Sequence, residues 1–188
     1  MFSTFVPAIF STAASRILAA EGLVSDISGN ISARLNGHII ISASGTNLAH
    51  LTGHDLVQVK PGGEYAGAAR PSVETKLHQL IYEKRADVRA VVHTHSTFAT
   101  VLAFTGQTIM GVNPESTEFS KVRTCPHKPY GTAKLASETL KYLGDQPAVL
   151  LEKHGVICVG SSIKEAVDRA ITLEQTAKMT YFIKLLPK

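Results

Sequence analysis

Hydrophobic positions in this chain switch between two periods. Over residues 5–20, Phe5, Ile9, Ala13, Ile17 and Ala20 recur at helical spacing, and Gly22 follows as a stop. Near residue 30 the period drops to two, with Ile31, Ala33 and Leu35 alternating with polar neighbours. Asn36-Gly37 then predicts a tight hairpin turn into "HIIISAS". "HDLVQVK" reads as a further short strand and "PGGEYAGAARPS" as a loop. Helical spacing returns over residues 72–84, with Ser72 as the N-cap and Leu77, Leu80 and Ile81 as the apolar stripe. "VRAVVHTHS" is a strand and "TFATVLAFTG" a short helix ended by Gly106. Residues 107–131 contain Pro114, Pro126 and Pro129 and carry no period. Thr132 opens another helix and Gly144 closes it. "AVLLEKHGVICVG" reads as two strands with a break at His154-Gly155. Ser162 with Glu165 forms a capping box that starts a last helix, with Ile163, Ala166, Val167, Ala170, Leu173 and Ala177 on its inner face.

This order predicts an α/β fold: a central, mostly antiparallel or mixed sheet with helices packed on it. No regular βαβ alternation, GxGxxG or P-loop signature is present. The 188 residues, 44% of them hydrophobic, suffice for one domain spanning residues 1–188. A formal charge of +4 suits a small anionic ligand. The basic residues do not cluster and there is no Trp, so nucleic acid is not expected as a partner. No apolar run is long enough to span a membrane. The first 22 residues lack a basic leader and Arg16 interrupts them, so they read as a helix rather than a signal peptide. Cys125 and Cys158 lack a CxxC arrangement, which suits a reduced, cytoplasmic protein.

Candidate chemistry centres on His93 and His95. Strand residues i and i+2 share a face, so the two imidazoles project together and can hold one divalent metal ion. A third ligand is normally needed, and His154 also follows an apolar run at a strand end, with Gly155 letting the backbone turn away. His38, His50, His54, His78 and His127 have ordinary turn, loop or helix-flank readings and are not assigned to metal. Glu74 falls in the first turn of its predicted helix, where the dipole favours an ionised carboxylate; such a group beside a metal-held carbonyl suits proton abstraction. First-turn glutamates are also common for helix stability alone. "SGNIS", "SASGT" and "RPSVE" combine hydroxyl residues with Gly or open a helix, as anion-binding turns do.

"SGNISAR", "ISASGTNL", "PSVETKLHQLIY", "AVVHTHS" and "LLEKHGVICVG" together resemble the class II aldolase/adducin family, in particular its L-fuculose-phosphate aldolase-like branch, from about residue 8 to 183. The resemblance implies a three-layer α/β/α fold with a largely antiparallel sheet. It implies Zn2+, or Mn2+, Co2+ or Fe2+, held by His93, His95 and His154, with Glu74 as the acid/base. Asn30, Ser44, Gly45 and Ser72 would form the phosphate pocket, with Gly29 and Thr46 shaping its loops. The implied reaction is retro-aldol cleavage of a short sugar phosphate through a metal-bound enediolate, in a homotetramer with active sites at subunit contacts. A dehydratase or decarboxylase would use the same site. A non-catalytic adducin-like domain would have lost the histidines, which are kept here. Val73 stands where many relatives carry a second serine. "VNPESTEF" lacks the tyrosine that serves fuculose-phosphate aldolases as proton donor, which points to Glu115 or Glu118 for that role.

Overall fold

The computed structural model describes residues 12–187. Its sheet contains β1 (Asn30–Leu35), β2 (His38–Ser42), β3 (Leu56–Val59), β4 (Ala90–Thr94), β5 (Thr124–Cys125), β6 (Ala148–Leu151) and β7 (Gly155–Gly160). The strand order is β3-β2-β1-β4-β7-β6-β5. Neighbours are antiparallel except β5 with β6. The α-helices among the described residues are α1 (Thr12–Ala20), α2 (Thr75–Lys84), α3 (Thr97–Phe104), α4 (Ala133–Leu143) and α5 (Ile163–Leu185).

Strand alternation sorts the core into two halves. Ile40, Val92, Leu150 and Cys158 pack on one face with Leu18 of α1, Leu102 of α3 and Leu173 of α5. Their neighbours Ile41, Val91, Val149 and Ile157 pack on the other face with Leu77 and Ile81 of α2 and Leu135 of α4. The result is the expected three-layer α/β/α arrangement. Both faces of the central strands are covered, so "AVV" and "GVICV" read as unbroken apolar runs. Each fully buried Leu or Ile contributes roughly 1.5–3 kcal/mol, which makes slippage of this alternation costly.

The structure departs from the periodicity at three places. The positions of the first helix before residue 12, Phe5 and Ile9 among them, lie outside the described residues. Within α1 the buried positions are Ala14, Ser15 and Leu18, while Ala13 and Ala20 are exposed and Ile17 is 44% exposed. The helix is therefore turned by one residue from the predicted face, because Leu18 seats in the cluster with Leu23, Leu48 and Leu51. β5 lies inside the stretch read as irregular; two residues are too few to show a period, and their pairing with Leu150 and Leu151 defines them. α2 begins at Thr75, later than predicted, so Glu74 is its N-cap residue rather than part of its first turn. Ser72 still caps the approach: its hydroxyl accepts the Glu74 N–H at 3.3 Å. The hairpin turn is as expected, with Asn36 and Gly37 both at positive φ.

Candidate metal centre and active site

The centre of the sheet ends in three imidazoles. His93 is the fourth residue of β4, on the same face as Val91, and its Nδ1–H donates to the Val156 carbonyl of β7 at 2.9 Å. This bond fixes the ring and leaves the lone pair on Nε2. His95 lies just past the strand, where its backbone N–H donates to the Leu23 carbonyl at 3.1 Å. His154 closes the β6–β7 hairpin; its N–H donates to the Leu151 carbonyl, and Lys153 before it has φ of 58°. Ring centroids of the three lie 4.8–5.4 Å apart. One nitrogen from each falls within 4.8 Å of the others, and the Nε2 atoms of His93 and His95 are 3.1 Å apart.

Two glycines make this convergence sterically possible. A Cβ on Gly155 would stand 2.2 Å from the Thr94 carbonyl oxygen, 3.1 Å from His95 and 3.2 Å from His93. The β4–β7 contact thus closes only because that atom is missing. At Gly29, with φ of 76°, a Cβ would meet the His93 carbonyl at 2.6 Å and Val24 at 2.8 Å.

Glu74 reaches the imidazoles from α2. Its carboxylate is 4% exposed and lies 3.2 Å from His93 Nε2 and 3.4 Å from His154 Nε2. Asn30, opposite His93 in the β1–β4 register, donates its amide N–H to Glu74 Oε2 at 2.9 Å. Burial opposes the charge on Glu74, but the fields of His93 and His154 and the Asn30 bond prevail and hold its pKa below the usual value. Burial lowers the pKa of all three histidines, to about 4 for His154. At neutral pH the site therefore offers three uncharged imidazoles and one carboxylate. That donor set fits a divalent ion: three nitrogens, an adjacent oxygen and a side open to the cleft.

The cleft beside this cluster measures about 280 Å³ and is lined by Gly29, Asn30, Ser44, Gly45 and Ser72 as well as Glu74 and the three histidines. The structure thus brings together all the predicted metal and phosphate positions. Their donors are more restricted than the turns suggested. The Ser44 N–H is spent on the Arg70 carbonyl and the Ser72 N–H on the Ser42 carbonyl, so these serines offer hydroxyls instead. Asn30 is engaged first with Glu74. A larger hollow, about 950 Å³, lies at the far end of β1 between α1 and α5 and contains none of these groups; chemistry rather than size marks the site.

Glu115 lies apart from this cluster. It is exposed on a 3-10 turn (Pro114–Phe119) and does not line the cleft of its own chain. Asn113 caps that turn and Ser116 and Phe119 point inward, which leaves Glu115 facing out. Glu118 pairs with Arg169 at 3.2 Å. Sequence reasoning missed Tyr130, which lines the cleft mouth and is 73% exposed. With Ile27 and Val73, 60% and 56% exposed, it gives the mouth an apolar rim. A large aromatic exposed in the Pro-Tyr-Gly turn was the available signal, but nothing in the spacing ties it to His93.

The family described as Class II Aldolase and Adducin N-terminal domain matches residues 11–181. The chain belongs to the class II aldolase and adducin family. It is 34% identical over 167 residues to a 5-methylthioribulose-1-phosphate/5-deoxyribulose-1-phosphate aldolase of Rhodospirillum rubrum, covering 88% of this chain and 76% of that one. It is 32% identical over 161 residues to an L-fuculose phosphate aldolase of Methanocaldococcus jannaschii, covering 85% and 87%. A crystal structure of L-fuculose-1-phosphate aldolase from Thermus thermophilus superposes with a TM-score of 0.86 at 29% identity, covering 94% of each chain. This class II aldolase family member is therefore an enzyme of the lyase type, with three histidines placed where they could hold a metal ion. No helix among its described residues is long and apolar enough to cross a membrane.

Proposed function

We propose that this chain cleaves a short ketose 1-phosphate, of the L-fuculose-1-phosphate kind, to dihydroxyacetone phosphate and an aldehyde. The observation that carries this reading is the Glu74 carboxylate, aimed by Asn30, against imidazoles whose free nitrogens converge. A bound divalent ion, Zn2+ or one of Mn2+, Co2+ and Fe2+, held by His93, His95 and His154, would supply a Lewis acid for the ketose carbonyl and its neighbouring hydroxyl. Neutral donors of the cleft, the Ser44 and Ser72 hydroxyls with the Gly45 backbone, receive the phosphate. In cleavage the C3–C4 bond breaks, its electrons stay on C3, and the C4 hydroxyl proton leaves as the aldehyde forms. Glu74 returns a proton to C3; in the addition direction its ionised form removes that proton. Tyr130 brings a hydroxyl to the cleft mouth and is the group of this chain that relays the C4 hydroxyl proton.

The apolar rim of Ile27, Val73 and Tyr130 supports a substrate whose far end is a deoxy or methylthio carbon, in keeping with the substrates named for the similar aldolases. The assembly we propose is a cytoplasmic homotetramer with sites at subunit contacts. Exposed Phe104, Phe182 and Leu185 on adjacent α3 and α5 support burial against another copy. The test is a product screen with fuculose-, rhamnulose-, ribulose- and methylthioribulose-1-phosphates, following dihydroxyacetone phosphate with a coupled dehydrogenase. Loss of water without that product from every substrate would replace the aldolase by a dehydratase using the same site.

A further inference from the structure

Behind the metal centre, the contact between β1 and α2 is polar where a sheet–helix contact is normally apolar. Asn30, Ser32 and Arg34 share one face of β1, and each bonds to α2 in turn. Asn30 donates to Glu74, as above. Ser32 Oγ lies 2.7 Å from His78 Nδ1 and 2.8 Å from the Tyr82 hydroxyl. Arg34 donates to the carbonyls of Tyr82 and Arg85 at the end of α2, with its guanidinium 5.1 Å from the Tyr82 ring centre. Two strand residues advance about 6.7 Å and four helical residues about 6 Å. The partners Glu74, His78 and Tyr82 are spaced by four, so the two repeats mesh over the whole helix.

The middle of this zipper is fully enclosed: Ser32 and His78 are 0% exposed and Tyr82 is 5% exposed. Burial drives the His78 pKa down to about 3 against the opposing field of the Glu74 carboxylate, so the ring is uncharged. Ser32 Oγ thus bridges the Tyr82 hydroxyl and His78 Nδ1, while His78 Nε2 is buried with no hydrogen-bond partner among the described residues. Apolar side chains of similar volume would hold a helix on a sheet as firmly as these groups. What apolar packing lacks is registry, since only polar partners fail when the helix shifts along the strand.

We propose that Ser32, His78 and Tyr82 are positioning residues for Glu74, a polar zipper that fixes the height of α2 along β1 so that its N-cap carboxylate arrives against the imidazoles. The inference rests on the reading of Glu74 as the proton-transfer group. Its test separates position from stability by replacing all three residues at once with apolar ones, Ser32→Ala, His78→Leu and Tyr82→Phe. The variant is compared with wild type for thermal midpoint, for metal per chain, for the visible spectrum of the cobalt-loaded protein and for kcat and KM with the substrate from the screen. The expected result is a folded variant with one metal per chain. Its kcat is lowered about ten- to a hundredfold with KM within twofold, and its cobalt spectrum moves toward that of Glu74→Gln. Unchanged kcat and an unchanged cobalt spectrum in the folded variant overturn the proposal, whatever the midpoint. If the triple variant fails to fold, Tyr82→Phe and His78→Asn decide by the same readouts. Asn keeps a polar partner for Ser32 and is expected to retain more kcat than Tyr82→Phe, and equal wild-type behaviour of both overturns the zipper. If the wild type cleaves no ketose phosphate, the proposed function fails, while the cobalt spectrum still reports on the placement of Glu74.

Discussion

Replacing Gly155 with Ala is the sharpest single-atom probe of the centre. The new Cβ would sit 2.2 Å from the Thr94 carbonyl oxygen, so the ends of β4 and β7 must part by about 1 Å or more to regain a normal contact. Thr94 pairs with Val156, and the Val156 carbonyl holds His93 Nδ1–H, so the same opening loosens the ring that carries the metal-facing nitrogen. The added methyl also presses directly on His93 and His95, from 3.2 and 3.1 Å. Overpacking at a buried backbone contact costs about 1–3 kcal/mol, which lowers the midpoint of a chain this size by about 2–12 °C. Disturbing the group that orients a ligand histidine weakens metal binding about 10–100-fold. The assays are thermal unfolding of the chelator-treated protein and competition for zinc against a chromophoric chelator. A variant with an unchanged metal-free midpoint and zinc affinity within twofold of wild type would refute the claim that close β4–β7 approach builds the site.

The remaining expectations are more direct. His93→Ala is expected to abolish stoichiometric metal binding, and full occupancy by metal analysis would remove this site. Glu74→Gln is expected to keep the metal but to lose at least about a hundredfold in hydrogen exchange on dihydroxyacetone phosphate, read by loss of label from C3. Tyr130→Phe is expected to slow cleavage while leaving that exchange intact, since the exchange involves no aldehyde; equal loss of both would assign Tyr130 to binding rather than to proton relay. Acid is expected to destabilise the metal-free protein. His78 has a folded pKa of about 3 against an ordinary 6.5, so below pH 6.5 the unfolded chain takes up a proton that the folded chain refuses. Stability present above pH 6.5 is therefore lost as pH falls, by about 2 kcal/mol from this group at pH 5, measurable by urea unfolding at pH 7 and pH 5.

The local pattern was informative wherever one period covered a whole element. Alternation in "NISARL" and the Asn36-Gly37 turn specified the first hairpin, and the unbroken apolar runs around Val91 and Ile157 implied strands covered on both faces. The same period placed His93 and His95 on one side, because residues two apart in a strand share a face by covalent geometry. His154 and Glu74 were nameable from strand-end and helix-start signals, and the motif set identified the family. Period alone could not choose the buried face of α1, where Ile17 and Leu18 are equally apolar and only the cluster around Leu48 decides between them.

Tertiary structure decided everything that depends on the distance between segments far apart in sequence. It made Asn30 a partner of Glu74 before it could be a phosphate ligand, spent the backbone donors of Ser44 and Ser72 on the Arg70 and Ser42 carbonyls, and left Glu115 outside the cleft lining of its own chain. It brought Tyr130 to the mouth and gave His78, an ordinary helix-flank histidine by its sequence, a buried place between α2 and β1. The physical reason is the range of the information. Helical and strand periods are set by bonds within a few residues, so the chain itself determines them. Which donor meets which acceptor across 40 to 60 residues depends on how two layers settle against each other, and that is resolved only when the core is packed.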